Sequence, residues 1–396
     1  MTANYSSATI PPYRLSPFKE SRAATKTIGI LAPHYGMERV SYVMNPKGYR
    51  FESLRRVPFQ RLNSDSSFLD NTALLTNPSV DLVHTMNMLP INGDRFVVSF
   101  ELELPRYLDE YRAWQHRLGH RLLASARCRQ ILSISDVGAR LMKEQFQQLG
   151  LPEIAQKISV FRGAVVPSLN SQSRRYRDHG PLRCLFVGGA GFRKGIMPVV
   201  EALETLRKGE IDVELTVISA IQLDEYVSGN APPLASAVCE KLAALPWVTH
   251  HLSLSNRRVR RLMQEQDLLL LPSFDETLGW VVIEAGMEGL GVVTTDIFAF
   301  PELVQEGVTG RMLTLPKNKQ SRWHGLTMTE SAREKAWIEE GHQLATQLVA
   351  VLEDVAADRS LVSQWGQGNY DKMMRLYHPD MAAVQLSQIY SAALAS

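Results

Sequence analysis

Residues 267–313, DLLLLPSFDETLGWVVIEAGMEGLGVVTTDIFAFPELVQEGVTGRML, read as strand, polar loop, helix and second strand. The first strand, 267–271, is an aliphatic run stopped by Pro272-Ser273, as expected of a strand buried on both faces of a parallel sheet. A polar loop then reaches Gly279, and a helix opens near Trp280 and runs towards Met287. Backbone N–H groups of Leu278, Gly279 and Trp280 would point out of a helix N-terminus at the carboxyl edge of the sheet, a setting that attracts phosphate. Two carboxylates bracket it, Glu276 in the loop and Glu284 about one turn into the helix. Acids lying on a phosphate would repel it, so they are read as acceptors for hydroxyls on either side. A ligand with hydroxyls at both ends and phosphates between them is a nucleotide sugar.

A second strand-to-helix passage lies upstream, LFVGGAGFRKGIMPVVEAL over residues 185–203. A strand at 182–187 runs into Gly188-Gly189-Ala190-Gly191, then Arg193-Lys194-Gly195 and a helix. Glycines let the backbone approach a ligand closely, and paired cations suit a pyrophosphate. The plainer alternative is a glycine-rich turn carrying two surface cations.

Residues 267–313 resemble the donor half of glycosyltransferase family four. The resemblance rests on Glu276 and Glu284 with seven residues between them, Pro272-Ser273 before the first and Ala285 after the second. Gly279, Gly289, Val292-Val293, Pro301-Glu302-Leu303 and Gly307-x-x-Gly310 complete the ordered set. The resemblance implies an α/β chain of two Rossmann-like parallel-sheet domains facing a cleft, the B-type fold. It further implies a retaining glycosyltransferase that needs no metal or other cofactor and moves a sugar from a nucleotide-sugar donor to a glycan or lipid-linked acceptor. Glu284 would hold the ribose, Glu276 would contact the transferred sugar and Lys194 would lie on the donor phosphates. The implied donor-binding set is Gly188, Gly189, Arg193, Lys194, Glu276, Thr277, Leu278, Gly279, Trp280 and Glu284. Family members often carry Arg directly after the first glycine; Gly189 stands there in this chain, and Arg193 is the candidate replacement.

In the first half, Ser133-Ile134-Ser135, Leu149-Gly150-Leu151-Pro152 and Ile158-Ser159-Val160 resemble the family's region before the linker. The strand at 97–101 aligns with one that often ends in a histidine acting on the donor sugar. Glu101 occupies that end here, followed by Glu103 and Pro105-Arg106. It is either a catalytic acceptor or base, beside Glu276 and Lys194, or an ordinary strand-end acid. His34 and His84 also stand at strand carboxyl ends, where a lone histidine is more often structural.

Apolar runs alternate with amphipathic stretches along all 396 residues, the pattern of parallel strands with helical crossovers. First-half strands are expected at 27–32, 81–85, 96–100 and 130–133, and second-half strands at 182–187, 213–219, 267–271 and 291–295. A helix over 106–127 carries a predicted apolar stripe of Trp114, Leu118 and Leu122 on a basic remainder. Residues 167–180 read as the interdomain linker and 316–329 as a surface loop. A long helix is predicted at 330–357, with a helical tail over 361–395 interrupted near His378-Pro379. The expected division is an acceptor-side domain at 1–170, a donor domain at 171–370, and a C-terminal helix, 371–396, returning to the first.

Residues 1–170 hold 21 Lys and Arg against 14 Asp and Glu, and the remainder 22 against 27. The basic half suggests an anionic neighbour such as a phospholipid surface, at the inner face of the membrane. Residues 1–27 lack the apolar core of a secretory signal and read as a loose arm, and no run is apolar enough to span a bilayer. Cys128, Cys184 and Cys239 lack CxxC spacing, so a reducing cytoplasm is expected and a zinc knuckle is not. Arg257-Arg258-x-Arg260-Arg261 has no aromatic interleaving, so no nucleic-acid partner is expected. Two other readings of the donor site stand beside transfer: a sugar-nucleotide epimerase of the same fold, and a non-catalytic homologue that binds nucleotide sugar without turnover.

Overall fold

The computed structural model of the protein describes residues 25–31, 35–59, 66–76, 78–107, 112–168, 174 and 176–395. The strands are β1 (Lys26–Leu31), β2 (Tyr49–Arg56), β3 (Thr72–Ala73), β4 (Leu75–Thr76), β5 (Leu82–Met86), β6 (Leu89–Pro90), β7 (Phe96–Phe100), β8 (Cys128–Ser133) and β9 (Ile158–Val160) in the first half. The second half holds β10 (Leu182–Val187), β11 (Val213–Ile218), β12 (Val248–His251), β13 (Leu268–Leu271), β14 (Gly291–Thr295) and β15 (Gly310–Leu313).

These make two main sheets. The first runs β4-β2-β1-β5-β7-β8-β9, parallel except for β4 on β2. The second runs β12-β11-β10-β13-β14-β15 and is parallel throughout. Counted from its own first strand, that order is 3-2-1-4-5-6, the doubly wound arrangement whose ligand crevice opens where neighbouring strands send their connections in opposite directions. Here that point lies between β10 and β13, the two strands that lead into the glycine-rich turn and the Glu276 loop. Their side chains explain the burial: every residue of β13 is buried, because helices cover both faces of the sheet.

The tail divides at His378. The helix Ser360–Tyr377 packs on the second domain against the helix Trp280–Met287 and β14. The helix Pro379–Ala395 packs on β5 and β8 of the first domain. The segment expected to return, 371–396, is therefore split, and its first seven residues stay with the donor side. Tyr390 seals the crossing, with its hydroxyl 2.7 Å from His84 Nδ1 and its ring against Tyr49 and Phe51.

Three expectations are corrected. Residues 316–329 are more than a surface loop: Trp323 is fully buried, donates its indole N–H to Glu340, and meets the Phe274 ring at 5.1 Å. The helix of the first domain begins at Ala113, and Trp114 is 51% exposed rather than part of an inward stripe. Its buried face is Gln115, Gly119, Leu122 and Leu123, because Gly119 presses on Pro105, where a Cβ would come within 2.6 Å of Pro105 Cγ. The N-terminal arm read at 1–27 lies outside the described residues as far as Ala24, and Lys26 and Thr27 already belong to β1.

Candidate functional site

The helices that follow β10 and β13 both start after a left-handed glycine. Gly195 (φ +86°) precedes the helix Ile196–Lys208, and Gly279 (φ +82°) precedes the helix Trp280–Met287. No side chain caps either one. Space as well as φ demands glycine: a Cβ on Gly195 would sit 2.2 Å from the Pro272 carbonyl oxygen, and one on Gly279 2.5 Å from the Phe300 ring. The N-terminus of the helix Trp280–Met287 faces a cavity of about 440 Å³, lined among others by Gly188, Lys194, Asn256, Glu276, Trp280 and Glu284. At the start of the other helix the Ile196 N–H is bound to the Gly191 carbonyl and the Val199 N–H to the Gly195 carbonyl, and Pro198 has no N–H.

Lys194 and Glu276 form an ion pair inside this cavity, with side chains 14% and 13% exposed. Gly188 makes room for it; a Cβ there would collide with the Lys194 stem at 2.1 Å. Burial alone would raise the Glu276 carboxyl. Lys194 and Arg193 beside it, with hydrogen bonds from Lys194 and the Thr277 N–H, overcome burial and hold it below the ordinary carboxylate value. Glu276 is therefore an ionised acceptor at neutral pH. Leu278 contributes a buried side chain, and Gly189 lines the cavity wall.

Arg193 is placed differently from the expectation that it replaces a cation at position 189. Its guanidinium is engaged with the Asp224 carboxylate at 2.5 Å and the Asp275 carbonyl at 2.7 Å, and comes only to 3.9 Å from Glu276. It braces the loop from behind. Asp275, adjacent in sequence, is clamped by Arg322 at 2.9 and 2.5 Å and by the Tyr226 hydroxyl at 3.0 Å. Sequence reading missed Asp275, Tyr226 and Arg322, which lie on three separate segments with no spacing to join them.

Glu284 is buried. Its carboxylate accepts from Asn256 Nδ2 at 3.0 Å and forms an ion pair with Arg39, whose guanidinium also lies 5.9 Å from the Trp280 ring centre. Arg39 belongs to the first domain, 245 residues away in the chain, and no sequence signal linked it to this site. Other ties cross the same interface. Glu302 accepts from the Asp136 and Val137 N–H groups at 2.9 and 2.7 Å, capping the helix Asp136–Gln148 from the opposite domain. The Val165 N–H reaches the Tyr377 carbonyl at 3.0 Å.

Of the first-domain candidates, Glu101 pairs with Arg106 at 3.2 Å at the end of β7. Glu103, two residues on, has its carboxyl pushed up by burial, against the pull of Arg106, of Arg322 from the second domain, and of His116. It is thus the acid of this loop whose field includes the opposite domain. His84 does not face the cleft: it is fully buried between Tyr390 and Ser99 Oγ, at 2.7 and 2.8 Å, and burial drops its pKa from 6.5 to about 3. His34 lies outside the described residues. Among the described residues no group of three or more His, Cys, Asp or Glu is arranged to hold a metal ion.

The family model described as Glycosyl transferases group 1 matches residues 171–343. The amylovoran biosynthesis glycosyltransferase AmsK of Erwinia amylovora is 27% identical over 178 residues, 43% of this chain and 41% of that protein. The lipopolysaccharide glucosyltransferase WaaG of Escherichia coli K12 is 29% identical over 177 residues, 44% of this chain and 45% of its own. The chain thus spans less than half the length of these two curated relatives. Among solved structures, Anabaena HepE in complex with UDP shares the fold with a TM-score of 0.58 at 12% identity, over 93% of this chain and all of that one.

Proposed function

We propose, from the match of residues 171–343 to the Glycosyl transferases group 1 model and from the two-domain B-type fold, a retaining, metal-independent transfer of a sugar from a nucleotide donor to a hydroxyl of a glycan or glycolipid. One observation carries the reading: Lys194, Glu276 and Glu284 line a single cavity at the uncapped N-terminus of the helix Trp280–Met287.

The costly event in such a transfer is departure of the nucleoside diphosphate. Lys194 and the helix N-terminus after Gly279 are fixed positive groups aimed where that charge grows. In this reading they make a metal unnecessary. Glu276, ionised and anchored, accepts hydrogen bonds from the sugar hydroxyls, and Glu284 accepts from the ribose. The leaving phosphate takes the acceptor proton on the same face, so the anomeric configuration is kept. Enclosure between the domains keeps water from the activated sugar. UDP, bound by the structural neighbour HepE, is the first nucleotide to test. The names of AmsK and WaaG support a cell-surface glycan or glycolipid as the acceptor class to test first.

A second reading, a non-catalytic nucleotide-sugar binder, draws on Gly189 and on Arg193 being turned towards Asp224, which leave Lys194 without a neighbouring phosphate cation. One experiment separates them. Purified protein is incubated with a panel of nucleotide sugars, with and without EDTA, and released nucleoside diphosphate and donor binding are measured on the same samples. Slow release from one donor, unchanged by EDTA and reduced at least about a hundredfold in Glu276→Ala and Lys194→Ala, is the expected result. Binding without release, with a glycan acceptor supplied, favours the binder; neither binding nor release defeats both.

A further inference from the structure

The Arg39–Glu284 pair joins a first-domain segment to the carboxylate assigned above to the ribose. Arg39 sits in the short helical segment Glu38–Tyr42, and its own carbonyl accepts from the Ala164 N–H at 2.7 Å. Gly163 (φ +74°) permits that approach, since a Cβ there would lie 2.4 Å from the Arg39 oxygen. The guanidinium then crosses the cleft, with 7% of the side chain exposed, to a carboxylate with 4% exposed. Arg39 and Asn256 both donate to Oε1 of Glu284, which fixes the plane of the carboxylate.

Burying two charges this deeply is costly unless each keeps its partner. Replacing Arg39 removes the charged donor that aims Oε1 from across the cleft, and with it the orientation in which the carboxylate can accept from ribose hydroxyls.

We propose that Arg39 is a positioning residue for the donor: reaching from the first domain, it holds and orients Glu284 as the ribose acceptor, so that ribose is read only when the two domains are closed on each other. This rests on the assignment of Glu284 given under Proposed function, and it adds the group that makes Glu284 competent.

The test reads ribose discrimination rather than affinity alone. Dissociation constants of UDP, GDP and ADP, and of their 2′-deoxy forms, are measured by calorimetry for wild type, Arg39→Gln, Arg39→Lys and Glu284→Gln. Wild type should favour the ribo form of its preferred nucleotide on the order of tenfold, as a hydrogen bond to a charged acceptor warrants. Arg39→Gln and Glu284→Gln should both bring that ratio below about twofold with the deoxy form bound almost as before, and Arg39→Lys should restore part of it. A structural role alone would weaken both forms equally. Unchanged discrimination in Arg39→Gln, with discrimination lost in Glu284→Gln, overturns the proposal while leaving Glu284 as the ribose contact. If Arg39→Gln does not fold, Gly163→Ala, which displaces the Arg39 backbone, must lower the ratio, and an unchanged ratio there is equally fatal. A wild type that binds no nucleoside diphosphate, or binds both sugars alike, removes the underlying assignment as well.

Discussion

Single residues in this chain owe their chemistry to burial. His84 is the plainest case, enclosed by Tyr390 and Ser99 with no charged partner among its hydrogen bonds. Its pKa falls from 6.5 to about 3 because burial penalises the imidazolium. The unfolded chain protonates this histidine near 6.5 and the folded chain only near 3, so the unfolded state binds the extra proton in between. Stability is therefore complete above about pH 6.5 and falls by roughly 1.4 kcal/mol per pH unit below it, until the folded state also protonates. Urea unfolding at pH 7 and pH 5 should show wild type losing about 2 kcal/mol more than His84→Gln. Equal losses in the two proteins would mean that His84 does not carry the acid sensitivity. Glu276 lies at the opposite extreme, facing the cavity and held ionised by Lys194 and Arg193.

Elements are held to the site by side chains that their own sequence does not announce. The segment after β15 delivers Arg322 to Asp275 and Trp323 to Phe274, and so fixes the loop that carries Glu276. Trp323 is fully buried and its indole N–H is donated to Glu340. Trp323→Ala should destabilise the fold by about 3–5 kcal/mol, read from the urea midpoint. It should also loosen the Asp275 clamp and weaken donor binding; a loss under about 1 kcal/mol would contradict the packing described here. The missed strands β2 and β12 have a related explanation. Both lie towards sheet edges, and half or more of their residues are partly or fully exposed, so their sequences lack the aliphatic runs that mark β10 and β13. Turn chemistry was more legible, because Gly195 and Gly279 are positions where both φ and space exclude other residues.

Across the whole molecule, charge is divided between the halves, with the excess of Lys and Arg in residues 1–170. Part of it forms an exposed face of the helix Ala113–Ala124 and its cap: Arg112, Trp114, Arg117 and Arg121. An aromatic ring among cations suits a headgroup layer, with roughly 1 kcal/mol per basic residue near an anionic surface. No helix among the described residues is long and apolar enough to cross a membrane. In flotation with vesicles, wild type should favour phosphatidylglycerol over phosphatidylcholine, and the preference should shrink in Arg117→Glu/Arg121→Glu and in high salt. Equal flotation on both lipids would remove the support for a membrane-bound acceptor.

The sequence by itself determined the strands β10, β11, β13 and β14, the loop that carries Glu276, the glycine-preceded helices and the carboxylate pair, because each is encoded by neighbours within one strand–turn–helix unit. Periodicity, proline stops and obligatory glycines are local, and local rules read locally. Tertiary structure decided what lies opposite. It set Arg39 on Glu284, Arg322 on Asp275 and Glu302 on the Asp136 helix, turned Arg193 to Asp224, and sealed His84 under Tyr390. These pairs join segments 31 to 306 residues apart, and what joins them is the need of a buried charge or polar group for a partner within reach. Only the folded chain says which partner that is.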